Sequence, residues 1–210
     1  LALMNPEDKS NIESYQSFLD RIQYIKIPYV LDLNTEVEIY RNIFGKQIDH
    51  SFLPRVLHNF ARIIISSRMN ERSYAMNDWI PEPHRYSMYC DFNLQLLRME
   101  IYTGHFPAWL TEEDRKKLTA KRRRMIIAES EQEGDRGLSG RDAIKIFGDF
   151  YSTYARKDKL ITMTTLTSYF TKVRPELGKQ LPSGFLESLM RLYNFTILQE
   201  VKESLYYFNE

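Results

Sequence analysis

Apolar residues recur along most of this chain at intervals of three and four, the spacing that gathers them on one face of a helix. Val37, Ile39, Tyr40 and Ile43 predict a helix capped by Asn34 or Thr35 and closed near Gly45. Ser51 opens a second, carrying Leu53, Val56, Leu57, Phe60, Ile63 and Ile64, with Pro54 tolerable in its first turn. Residues 66–90 read as irregular, because Pro81 and Pro83 forbid a helix from Trp79 to Tyr86. Helices then follow over residues 91–102, 112–130, 139–156, 162–173 and 183–208. Thr111 with Asp114 approximates a capping box at one start, and Pro175 ends the register of another.

The first 30 residues are more mixed. Ile12, Tyr15, Phe18 and Leu19 have helical spacing, and Arg21 closes that segment. The β-branched run from Ile22 to Ile27 alternates imperfectly and stops at Pro28, which predicts a strand. Leu1-Ala2-Leu3-Met4 reads like the last half of a buried strand, leaving Asn5 as a carboxamide at its end, before a polar break. The last residues, Tyr206-Tyr207-Phe208, fall within an apolar helical pattern, so the expectation is a piece of a longer protein. The predicted class is mainly α, a helical bundle preceded by a short strand-containing remnant, with a boundary near residues 28–34.

Composition narrows the function classes. The 14 Tyr and 12 Phe predict a ring-rich core in thin helical layers, where tyrosine hydroxyls stay wet or bonded. A net charge of +1 supplies no global field to recruit nucleic acid or an anionic membrane. The single cysteine, Cys90, excludes an intrachain disulfide framework and suits a reducing cytoplasm. No apolar run approaches the roughly 20 residues of a membrane span, and no signal peptide is visible. A soluble, intracellular protein is expected.

Three stretches invite chemistry. Between Arg115 and Arg124 lie seven cations in ten residues, which could grip nucleic-acid phosphates. Acidic residues flank the run, however, and no aromatics interleave it for base stacking. A solvated face or an intramolecular contact competes with that reading. Asp78, Glu82, His84 and Asp91 match no metal-ligand spacing and are explained as turn residues around the prolines; with four scattered histidines no structural zinc site is expected. The third stretch is Gly137-Leu138-Ser139-Gly140-Arg141, which follows an acidic, glycine-bounded linker read as mobile. Ser139 is a good N-cap and Ile144, Phe147, Tyr151 and Tyr154 follow at helical spacing, so Arg141 sits at the positive end of a helix, where a cation gains nothing from the helix dipole. It is either a solvated charge or a group awaiting an anion from outside its own helix. Gly-Leu-Ser-Gly is not a hydrolase nucleophile elbow, which needs a strand upstream. The chain also contains no Gly-x-x-x-x-Gly-Lys-Ser/Thr loop and no protein-kinase signature motifs, so tight nucleotide binding by these residues alone is not expected.

The string from Phe18 to Tyr29, the string from Leu33 to Tyr40, and Gly137 to Arg141 together resemble the PrkA-type bacterial serine protein kinases, whose catalytic part is an AAA+ ATPase. The resemblance covers most of residues 1–70 and 134–170, whereas residues 74–133 look like an insertion. It implies an AAA+ core ending at residue 30, a helical lid over 31–157 containing the insertion, and a following helical domain from 158. It also implies ATP with Mg²⁺ in the full-length parent, a protein substrate, a homo-oligomer, and Walker motifs upstream of Leu1. By that resemblance Asn5 corresponds to sensor 1, Arg21 to an arginine finger reaching a neighbouring subunit, and Arg141 to the lid arginine, sensor 2. The competing class is a helical partner- or nucleic-acid-binding module using residues 115–124.

Overall fold

In the computed structural model, which describes Ile25 and residues 27–208, helices carry nearly all regular structure. Two isolated bridges, Phe52 with Ile161 and Arg156 with Lys159, are the β pairing among the described residues. Most of the strand expected over residues 22–28 lies outside them; Ile25 and Ile27 are exposed and belong to no regular element. The predicted helical class therefore holds for the described chain.

Helix α1, Leu33–Phe44, is capped by Asp32 rather than by Asn34 or Thr35: its carboxylate accepts the Thr35 N–H at 2.7 Å. A 3₁₀ turn, Lys46–Ser51, leads to α2, Val56–Arg68, which starts later than Ser51 suggests. The reason is tertiary. The Ser51 carbonyl accepts from the Ile161 N–H and the Leu53 N–H donates to the Ile161 carbonyl, holding this stretch extended. Residues 66–90, read as irregular, contain the end of α2, a short helix α3, Tyr74–Trp79, and a 3₁₀ turn, Pro83–Tyr86.

Helix α4, Gln95–Tyr102, is launched by Asp91, whose buried carboxylate accepts the N–H groups of Asn93, Gln95 and Leu96. The single helix expected over 112–130 is two, α5 (Glu112–Lys117) and α6 (Ala120–Ser130), because Thr119 acts as a second N-cap and accepts the Arg122 N–H. Then come α7, Gly140–Tyr154, α8, Met163–Ser168, continuing as a π-helical turn, Tyr169–Val173, the short α9, Pro175–Gly178, and α10, Phe185–Tyr207.

The elements share one hydrophobic core. At its centre Phe147 stacks on Tyr40 with centroids 4.6 Å apart and meets the edge of Phe60 at 5.1 Å. The buried face of α7 is Ala143, Ile146, Phe147 and Phe150, so Ile144, Tyr151 and Tyr154 lie on its margins rather than at its centre. The helix bearing Arg141 is thereby pinned against α1 and α2.

Candidate functional site

Arg141 lies in the first turn of α7, and the turn is built as a reciprocal capping box. Ser139 Oγ accepts the Asp142 N–H at 3.1 Å, while the Asp142 carboxylate accepts the Ser139 N–H at 3.1 Å and its hydroxyl at 2.7 Å. The helix N-terminus already has an anionic cap, so the group left to meet an external anion is the Arg141 side chain. It is exposed, and its guanidinium has no ion-pair partner among the described residues. Lys145, one turn on and also exposed, shares its helix face.

What precedes Arg141 differs most from the sequence expectation. The acidic linker is packed rather than free. Glu133 is buried and pairs with buried Arg98 at 2.9 Å; Tyr102 donates its hydroxyl to the same carboxylate at 3.2 Å. Burial holds the Glu133 carboxyl above its ordinary value, against the opposing pull of Arg98. The Gly134 N–H donates to the Arg68 carbonyl and the Gly134 carbonyl accepts from the Tyr29 N–H. Gly137 has φ +81°, and a Cβ there would stand 2.1 Å from the Ser67 carbonyl oxygen. Backbone approach that close requires glycine.

Immediately before the capping box, Leu138 is held at both ends of its peptide unit. Its N–H donates to Ser67 Oγ at 3.1 Å, and its carbonyl accepts from Arg68 Nε at 2.7 Å. The same buried guanidinium donates to the Val30 carbonyl at 2.8 Å and forks onto Glu36, at 2.8 Å to Oε2 and 3.3 Å to Oε1. Tyr40 completes the cluster by donating to Glu36 at 2.6 Å; burial, with the Glu36 charge beside it, pushes that hydroxyl far above its ordinary value. Arg68, Glu36, Arg98 and Glu133 carry no sequence signal as a site. Glu36 and Arg98 fall inside predicted helices, Arg68 in the stretch read as irregular and Glu133 in the linker read as mobile, and the partners are 32 and 35 residues apart.

Asn5 and Arg21 lie outside the described residues, so the geometry bears on Arg141 alone among the three predicted site residues. The basic run is largely spoken for within the chain. Arg115 donates to the Ala108 carbonyl, Lys117 pairs with Glu113, Arg122 pairs with Asp78 at 2.8 Å, and Arg123 lies over the Phe106 ring. A separate cleft of about 530 Å³ has Arg55, His58 and Arg62 on its floor, but Glu200 and Glu100 neutralise its two arginines. Among the described residues no group of three or more His, Cys, Asp or Glu side chains could hold a metal ion. None of their helices is long and apolar enough to cross a membrane.

Fold and site thus define a mainly helical protein that seats an exposed cation on a rigidly anchored helix. Residues 96–210 match the PrkA serine protein kinase C-terminal domain, and residues 7–75 match the PrkA AAA domain. The first match spans more than half of the chain, which belongs to the PrkA-like AAA+ serine protein kinase family. No curated protein and no solved structure matches the chain. The AAA match implies ATP use in the family.

Proposed function

We propose that this chain supplies the sensor and lid elements of an ATP-dependent serine protein kinase of the PrkA type, with Arg141 as the lid residue that meets nucleotide phosphate. The supporting observation is the exposed, unpaired guanidinium in the first turn of a helix whose approach is fixed by buried contacts. The described residues fit one part of a phosphate site, a cationic side chain that arrives when the lid closes. They contain no glycine-rich phosphate cradle, so the rest of that site belongs to a Walker A segment elsewhere in the protein. In the low dielectric of a closed site a guanidinium stabilises phosphate charge far better than in water, so lid angle and ATP state become linked.

Asn5 as the sensor at a strand end and Arg21 as a trans arginine finger complete the reading, which carries with it Mg²⁺ accompanying ATP, a homo-oligomer, a protein substrate and a cytoplasmic location. The division into core, lid and following domain at residues 30 and 157 belongs to the same proposal. The observations favour the lid reading over the nucleic-acid alternative, since several side chains of the run from Arg115 to Arg124 already have partners within the chain. The test is Arg141→Ala in a protein that carries this chain together with a Walker A motif. ATP turnover should fall at least tenfold with far-UV circular dichroism unchanged; unaltered turnover removes Arg141 from the site.

A further inference from the structure

We infer that Arg68 is a positioning residue that makes the backbone at Val30 and the backbone at Leu138 move as one body, so that residues 28–31 travel with the base of the Arg141 helix. The inference deepens the phosphate-sensing proposal for Arg141 and rests on it for its consequence, though not for its geometry.

The argument begins with the shape of the side chain. A guanidinium is planar, and its five N–H groups form a rigid fork, so bonds made along different edges cannot be adjusted separately. In Arg68 one edge holds the Leu138 carbonyl through Nε at 2.7 Å, and Nη1 holds the Val30 carbonyl at 2.8 Å. Glu36 receives the remaining donors and fixes the plane against α1. The side chain is 1% exposed and Leu138 is buried, so water cannot replace the Leu138 carbonyl if it moves away. Shifting either backbone alone would strand a buried, charged donor.

The neighbouring bonds run the same way. The Tyr29 N–H reaches the Gly134 carbonyl, the Gly134 N–H reaches the Arg68 carbonyl, and Arg136 donates to the Met69 carbonyl at 3.1 Å. Residues 27–32 belong to no regular element, so these contacts and the bond to Val30 hold them in place. On the other side only Ser139 and Gly140 separate Leu138 from Arg141, and the capping box stiffens both. There is no soft joint between the Val30 carbonyl and the first turn of α7.

The experiment is amide hydrogen exchange on the chain without nucleotide, read at Tyr29, Gly134 and Leu138. Arg68→Lys keeps the charge but supplies a point donor in place of the fork. All three amides are expected to exchange at least tenfold faster and by a common factor, while Leu189 in α10 stays at its wild-type rate. Ser67→Ala removes the acceptor of the Leu138 N–H, together with a hydroxyl bond to the Ile64 carbonyl inside its own helix, and leaves Arg68 in place, so it serves even if Arg68→Lys does not fold. Its expected result is faster exchange at Tyr29 as well as at Leu138. Acceleration at Leu138 with Tyr29 unchanged would overturn the coupling, as would a uniform rise that includes Leu189. In the ATP-hydrolysing protein, loss of turnover in Arg68→Lys should disappear against an Arg141→Ala background; losses that multiply would overturn the route through Arg141. Unchanged turnover in Arg141→Ala alone would sink the phosphate reading and leave the exchange result standing.

Discussion

Removing Arg98 offers a quantitative check on the packed linker. Arg98→Met keeps an unbranched side chain in the buried space and deletes the charge facing Glu133, which is 2% exposed. A buried pair broken from one side costs about 3–5 kcal/mol, because the remaining charge is left uncompensated. Glu133 has an escape, however: it can take up a proton. Relative to a carboxyl of ordinary pKa near 4.5 in the unfolded chain, holding it neutral costs about 3.4 kcal/mol at pH 7 and about 0.8 kcal/mol at pH 5. Those figures cap the electrostatic part of the loss. The sign follows from the direction of the shift. Burial already raises the folded-state pKa of Glu133, and losing Arg98 raises it further, so the stability attached to the protonated carboxyl is present at low pH and disappears as pH rises above 4.5. Urea denaturation should therefore find Arg98→Met destabilised by about 3 kcal/mol at pH 7, and by up to about 2.6 kcal/mol less at pH 5. Adding Glu133→Gln should recover much of the pH 7 loss and flatten the pH dependence. Equal destabilisation at both pH values, or no recovery in the double variant, would refute the reasoning.

Three further outcomes follow from the packing. Gly137→Ala forces a Cβ into the Ser67 carbonyl at a left-handed φ and should cost more than about 1 kcal/mol, whereas Gly140→Ala, facing open space at the helix start, should be neutral or mildly stabilising; thermal melts of the two variants separate them. Phe147→Ala empties the centre of the aromatic cluster and should lose about 3–5 kcal/mol in urea, a loss below about 1 kcal/mol contradicting its place there. Cys90 is buried, and burial with the neighbouring Asp91 carboxylate pushes its thiol well above the ordinary range, so a disulfide reagent at pH 8 should modify it only after unfolding; prompt reaction of the native chain would show the site to be open.

Local chemistry was readable wherever a residue answers to neighbours three or four positions away. Ser139 caps its helix as predicted, and Thr111 accepts the Asp114 N–H, although the other half of that expected box is missing because the Asp114 carboxylate is taken by Tyr86 and Arg85. The aromatic core was legible in composition and spacing, and Phe147 falls on the predicted stripe. Choices among equivalent local options were not legible. Asp32, Asn34 and Thr35 can all cap a helix, and Thr119 hides inside a run whose charges look continuous. Ser51 loses its predicted role because Ile161, 110 positions away, takes its carbonyl. The anchoring of Arg141 is the extreme case: Arg68, Leu138, Arg98 and Glu133 become partners only once α2, α4 and the linker are packed, and no periodicity encodes that. Hence the capped helix start before Arg141 could be read from the sequence while what anchors it could not.

The bond from Arg68 to Leu138 also bears on how such proteins can diverge. Arg68 belongs to the segment matching the AAA domain, and Leu138, Glu133 and Arg98 to the segment matching the C-terminal domain. A genetic crossover between residues 75 and 96 would join halves with separate histories across a buried cation and a loop fitted to it. Such a hybrid would keep Val30 and Glu36 with Arg68 but would depend on the foreign loop to bring the Leu138 carbonyl to the same place. The seam between the two matched segments is thus a fitted contact, in which Gly137 must stay without a side chain for the Ser67 carbonyl to approach.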